Sequence, residues 1–159
     1  MKTLILVRHA KSDWQFPIPD FERPLNERGL KNAPKMAEFL FRKNISIDQM
    51  ITSSANRAKS TCEFFAEKYQ INFSETRELY HANERQFLKV ITNADENSQS
   101  LAIFSHNNSI SEFANSLCGT DLIFKTCGVA IFTINSETWA EFEFAAKEFM
   151  QYYSPKTIG

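Results

Sequence analysis

The chain has 159 residues, of which 43% are hydrophobic and 15 are phenylalanine; this suits a single domain, residues 1–159, with an aromatic-rich core. Its 18 Lys and Arg nearly balance 19 Asp and Glu, which argues against a broad nucleic-acid or membrane-surface footprint and confines any basic site to one locality. Cys62, Cys118 and Cys127 lack CxxC spacing and read as reduced, buried thiols; the apolar run after Lys2 is too short for a signal peptide, and no stretch reaches transmembrane length, so the expected location is cytoplasmic.

The β-branched and apolar run from Thr3 stops on Arg8 and His9. A short strand of this kind is expected at the centre of a sheet, with the two polar residues at its carboxyl end, where open α/β sheets hold their ligands. Ala10 to Pro24, with Pro17, Pro19 and Pro24, reads as a loop over the sheet. Asp13 and Asp20 are expected to shape that loop, and Trp14 and Phe16 to pack on the core or, as the alternative, to line a substrate mouth. Asn26 is placed to cap a helix starting at Glu27 whose apolar positions are Ala33, Met36, Ala37 and Leu40, with Pro34 expected to kink or restart it. IDQMIT predicts a second strand ending at Ser53 and Ser54. Ser54 is the expected N-cap of a helix running to Tyr69, with Arg57 in its first turn. A cation is electrostatically misplaced at the positive end of a helix, so Arg57 suggests a bound anion.

From Ile71, INFSETREL reads as a weak strand near a sheet edge, and YHANE leads to a helix with Phe87, Val90, Ile91 and Ala94 at helical spacing. LAIFSH predicts another strand, ending on His106, followed by a helix carrying Ile110, Phe113, Ala114 and Leu117 that stops at Gly119. VAIFTI and WAEFEF, joined by Asn135 to Thr138, read as a terminal antiparallel hairpin, with a surface tail after Tyr152. The expected fold is α/β: a three-layer α/β/α sandwich with a mixed, mostly parallel central sheet and a C-terminal antiparallel hairpin.

Three strands thus deliver polar groups at their carboxyl ends: Arg8 with His9, Ser53 through Arg57, and Ser105 with His106. Two histidines and two arginines in one crevice suit a dianion, because guanidinium forks match phosphate oxygens and helix N-termini add backbone donors. A neutral imidazole among arginines is well placed as a nucleophile. A metal site on His9, His106 and the aspartates is the chemical rival, disfavoured because ligand spacing is absent and arginines repel cations. Ser53 and Ser54 are candidates for phosphate contact, although capping alone explains Ser54.

RH on the first strand, DFERPLNERG, SSANRAKST and the late SH, in this order and in so short a chain, resemble the histidine phosphatase superfamily of phosphoglycerate mutase-like fold, and in particular its SixA-like phosphohistidine phosphatase branch. The resemblance implies that His9 takes up the phosphoryl group and that Arg8 and Arg57 bind its oxygens. His106 would complete the pocket, Arg23 would reach into it, and water would hydrolyse the phosphohistidine intermediate. It implies no metal and no organic cofactor. Two departures stand out. The family usually has Gly before the second histidine, where this chain has Ser105. Many members supply a glutamate as proton donor after the third strand, where ELYHANER offers Glu78, Glu84 or His81 with none clearly in place. Imidazole leaves more readily than an alkoxide, so the missing acid favours a phosphohistidine substrate. The resulting expectation is a signalling phosphatase whose partner is a phosphohistidine-bearing protein, with no nucleic-acid or membrane partner. Its alternatives are a phosphomonoesterase acting on a small phosphorylated metabolite and, from another class, a non-catalytic phosphate-recognising module.

Overall fold

A computed structural model describes residues 1–159. β1 (Lys2–Arg8) is the strand from which both cores are built, because its alternating side chains are apolar on both faces. Leu4 and Leu6 pack with Phe87, Ile91, Phe113 and Phe132, whereas Ile5 and Val7 pack with Ala33, Met36, Cys62 and Phe65. The first face is therefore covered by α3 (Glu84–Thr92) and α4 (Ser109–Cys118), and the second by α1 (Glu27–Arg42) and α2 (Asn56–Tyr69).

The remaining strands are β2 (Gln49–Ser53), β3 (Ser74–Thr76), β4 (Ser100–Ser105), β5 (Val129–Ile134) and β6 (Lys147–Tyr153), in the sheet order β3-β2-β4-β1-β5-β6. β1 to β4 are parallel, and β5 and β6 run antiparallel to their neighbours. The architecture is the expected mixed α/β sandwich. Because β1, β2 and β4 are parallel, their carboxyl ends share one edge of the sheet.

α1 starts where the sequence places it, with the Asn26 side chain accepting the Gly29 N–H at 2.9 Å. Gly29 is obligatory for close approach: a Cβ there would lie 2.2 Å from the Lys11 carbonyl oxygen. The first turn of α1 is thereby pressed onto the loop that follows β1. α1 continues through Pro34 instead of restarting. The carbonyl that proline leaves without a partner belongs to Leu30, a half-exposed residue where water can serve it.

Other expectations need correcting. The N-cap of α2 is Ala55, one residue past Ser54. Its amide donates to the Ser53 hydroxyl at 3.2 Å, while Ser54 N–H is used by the Thr76 carbonyl. Cys118 is half-buried, unlike Cys62 and Cys127. WAEFEF is not the last strand. Trp139 and Phe142, three residues apart, are both fully buried, and Phe142–Phe144 forms a 3-10 turn. The segment is anchored by the Glu96 carboxylate, which accepts the Trp139 and Ala140 amides at 2.7 and 2.9 Å, and by the Trp139 indole N–H donating to Ser98. The pairing strand is β6, five residues after Phe142. The tail beyond it is not mere surface, since Ser154 is buried.

Candidate active site

His9 follows directly on β1 with its backbone held on both sides: its N–H donates to the Ser105 carbonyl at 3.1 Å and its carbonyl accepts from Cys127 at 2.9 Å. Nδ1 lies 2.7 Å from the Ala10 carbonyl, and Nε2 lies 3.3 Å from Nε of Arg57. A carbonyl only accepts and a guanidinium only donates, so both neighbours demand one tautomer, with the proton on Nδ1 and a lone pair on Nε2. Burial pushes the pKa of His9 down to about 3; the hydrogen bond to the Ala10 carbonyl is the main opposing pull, and the charges of Arg57 and Arg8 add smaller downward pushes. The ring is therefore neutral at physiological pH.

Arg57 enters from the first turn of α2 and is nearly fully buried. Besides Nε on His9, its Nη1 donates to the Asp20 carbonyl at 2.7 Å and its Nη2 to the Asp20 carboxylate at 3.0 Å. One hydrogen on each Nη remains unused. Thr61, a turn further along α2, locks this helix to the chain just after His9: its hydroxyl donates to the Arg57 carbonyl at 2.8 Å and accepts the Ala10 amide at 2.9 Å.

His106 follows β4, its ring centroid 5.2 Å from that of His9. Nε2 lies 2.8 Å from the Ser53 hydroxyl, and Nδ1 is buried with no partner. Burial, then the neighbouring His9 and Arg57, lowers its pKa to about 2. Ser105 settles what replaces the usual glycine, because its hydroxyl donates to the Leu79 carbonyl at 2.7 Å and ties β4 to the segment bearing Tyr80.

Arg8 donates one hydrogen, from Nη1, to the Phe124 carbonyl at 2.8 Å; its buried Nε has no partner. Arg23 is buried in the loop that follows β1, and its Nε, like that of Arg8, has no partner. Its Nη1 is held by the Asp13 carbonyl at 2.9 Å and the Phe16 carbonyl at 3.4 Å, and its Nη2 by the Ile18 carbonyl at 3.0 Å, with the guanidinium stacked 3.8 Å from the Trp14 ring. Here it serves as a strut that closes the 13–18 loop on itself. Trp14 and Phe16, expected in the core, are exposed.

None of the three proton-donor candidates touches His9. Glu78 is paired with Lys89 at 2.7 Å, and Glu84 lines a separate small cavity with Glu112. His81 lies against Tyr80 with the two rings tilted by 40° and centroids 4.0 Å apart, and Tyr80 meets His106 edge-on at 5.4 Å. Two residues that sequence reasoning left aside belong to the site: Asp20, bound by Arg57, and Tyr80, whose hydroxyl donates to the Asp20 carboxylate at 2.6 Å. Burial works against ionisation of Asp20, but the Tyr80 and Arg57 hydrogen bonds prevail and lower its pKa. The available signal was a carboxylate three residues before Arg23; nothing local linked it to Arg57. No three His, Cys, Asp or Glu side chains gather as a metal site.

A neutral imidazole whose unprotonated nitrogen meets a buried guanidinium is an arrangement that suits phosphoryl transfer. Consistent with it, the model of the histidine phosphatase superfamily (branch 1) matches residues 4–87, over half of the chain. The chain belongs to this superfamily. Among relatives of the phosphatase domain is an uncharacterized protein of Mycobacterium tuberculosis, 26% identical over 161 residues that cover 94% of this chain and 100% of that protein. Among solved structures, SixA from Agrobacterium tumefaciens superposes with a TM-score of 0.84 at 24% identity, covering 97% of this chain and 98% of that one. The protein histidine phosphatase SixA complexed with tungstate gives 0.83 at 20% identity, covering 99% of both chains. A mycobacterial glucosyl-3-phosphoglycerate phosphatase gives 0.73 at 12% identity, covering 94% and 97%. At such identities the superpositions establish the shared fold of the histidine phosphatase domain. No helix of the domain is long and apolar enough to cross a membrane.

Proposed function

We propose that this histidine phosphatase domain removes phosphoryl groups through a phosphohistidine intermediate on His9, and that its substrate is a phosphohistidine carried by another protein. The observation that carries the reading is the doubly specified tautomer of His9, which leaves Nε2 with an in-plane lone pair beside Arg57.

The phosphoryl oxygens lie on the free hydrogens of Arg8 and Arg57, whose charges offset the substrate's own before attack. Nε2 of His9 forms the N–P bond as the bond from phosphorus to the substrate ring breaks, and that ring, protonated on its other nitrogen, takes the bonding electrons and departs as neutral imidazole. The proton stays on Nδ1, which donates it to the Ala10 carbonyl, and that hydrogen bond supports the charge on the phosphorylated ring. Water then attacks phosphorus, the electron pair returns to Nε2, and inorganic phosphate and a proton are released. His106, a neutral ring at 5.2 Å, flanks the transferring group. The absence of a carboxylic acid beside His9 favours a leaving group that needs no proton donor. Asp20 does not fill that role while it is held ionised by Tyr80 and Arg57.

The test is turnover measured side by side on a phosphohistidine protein, a phosphorylated sugar and an aryl phosphate, with His9→Ala as blank and alkaline quenching to preserve a radiolabelled adduct. The reading expects an alkali-stable, acid-labile label on His9 and preference for the phosphohistidine protein. Preference for the sugar phosphate would instead select a small-molecule phosphomonoesterase, and phosphate binding with no adduct would select a non-catalytic module.

A further inference from the structure

Beside the phosphoryl pocket, on the β5 side of β1, lies a cavity of about 300 Å³ with unusual electrostatics. It is lined by Arg8, Lys11, Arg28, Lys125 and Lys156, and neither a carboxylate nor a hydrophobic side chain contributes to its wall. The chain as a whole has nearly equal numbers of cations and anions, so this is a local concentration and not a reflection of net charge. None of these five side chains forms an ion pair anywhere in the molecule, although Arg42, Arg57, Lys59, Lys68, Arg85 and Lys89 all do.

The cations are brought together by the fold. Lys11 and Arg28 meet because Gly29 lets α1 press against the Lys11 backbone. Lys125 comes from the loop whose Cys127 and Gly128 bond to the backbones of His9 and Arg8, and Lys156 comes from the tail after β6. Arg8 belongs to both places. It is half-buried, its Nε has no partner, and burial lowers its pKa, so it gains from an anion on either side. Mutually repelling cations gathered in a concave wall without a carboxylate cost free energy unless an anion is to be held there.

We propose that this cavity is a second oxyanion subsite, contiguous with the phosphoryl pocket through Arg8, and that it receives another anionic group of the same substrate. The inference rests on the phosphatase reading only for its claim about the substrate; the binding itself does not depend on turnover. The oxyanion comes either from a carboxylate on the face of a phosphohistidine protein or from a second phosphate on a small metabolite.

Inorganic pyrophosphate is titrated by calorimetry at low salt into His9→Ala protein, with and without Lys125→Gln plus Lys156→Gln, two exposed positions outside the phosphoryl pocket. The double substitution is expected to weaken pyrophosphate binding about tenfold. Unchanged binding in a folded double variant overturns the subsite, whether or not the protein is a phosphatase. In the His9 background, the same pair should raise KM without changing kcat. The substrate affected identifies the source: a bisphosphorylated metabolite or a phosphohistidine protein, with a simple aryl phosphate unmoved. An equal rise in KM for the aryl phosphate, or no rise for any substrate, overturns the assignment to a second group of the substrate.

Discussion

The two flanks of His9 contrast in how their charges are satisfied. On the β2–β4 side, Arg57 is balanced by Asp20 and Asp20 is bound by Tyr80, while the neutral His106 ring meets Ser53 through Nε2 and keeps only Nδ1 without a partner. On the β5 side, Arg8 and four further cations face a cavity without a single carboxylate. The first flank is organised before any ligand arrives, as catalysis by positioning requires. The second is complete only when an anion is present. Chemistry and selectivity can thus be carried by different sides of one strand end.

The contrast is tested most severely at its centre. His9→Ala is expected to lower turnover about 10,000-fold, measured as kcat with a phosphohistidine protein, since Arg57 is hydrogen-bonded to no other ring nitrogen. Retained turnover would dissolve the division into catalytic and anion-binding flanks. Next is Arg57→Lys, for which a loss of about 100-fold in kcat is expected. One ammonium cannot reach His9 Nε2 and both Asp20 oxygens at once in the guanidinium's planar geometry. A mild effect there would mean that charge alone, not the fork, matters on the organised flank.

The buried histidines predict a pH dependence of stability. Their folded pKa values, about 3 and about 2, lie below the unfolded value near 6.5. As pH falls through 6.5 the unfolded chain gains protons that the native state refuses. Their contribution is therefore fully present above neutrality and is lost progressively toward pH 3, by about 2 kcal/mol per histidine at pH 5. Denaturant melts from pH 7 to pH 5 should show this slope, and His106→Asn should reduce it by about half. An unchanged slope would contradict a neutral, desolvated His106.

The smallest effect concerns Asp20, whose carboxylate occupies Arg57 in competition with phosphate but is partly exposed. Asp20→Asn is expected to strengthen product inhibition by inorganic phosphate about threefold. Weaker inhibition would show that Asp20 orients Arg57 instead of competing for it.

Much of this site can be read from residue order because its parts sit at strand ends. An apolar run that stops at Arg8 and His9, and another that stops at Ser105 and His106, announce where buried strands meet the sheet edge, and hydrophobic periodicity is a local property. The helix spacings of α1 to α4 and the Asn26 cap were legible for the same reason. Where the local pattern misled, a distant contact prevailed. WAEFEF alternates like a strand, yet Glu96 and Ser98 hold Trp139, and burial of Phe142 turns the chain into a 3-10 segment. Arg23 lies in the expected motif, and nothing local announced that the carbonyls of its own loop would hold both its Nη atoms while its Nε stays without a partner.

By itself, the sequence determined the fold class, the central strand and the identity of the histidines and arginines at its end, since all of these follow from short-range patterning and from motif order. Only the tertiary structure decided the tautomer of His9, the capture of Arg57 by Asp20 and Tyr80, and the gathering of Lys11, Arg28, Lys125 and Lys156 around Arg8. Each of these depends on side chains from separate elements meeting at a fixed distance, and one-dimensional spacing carries no record of that.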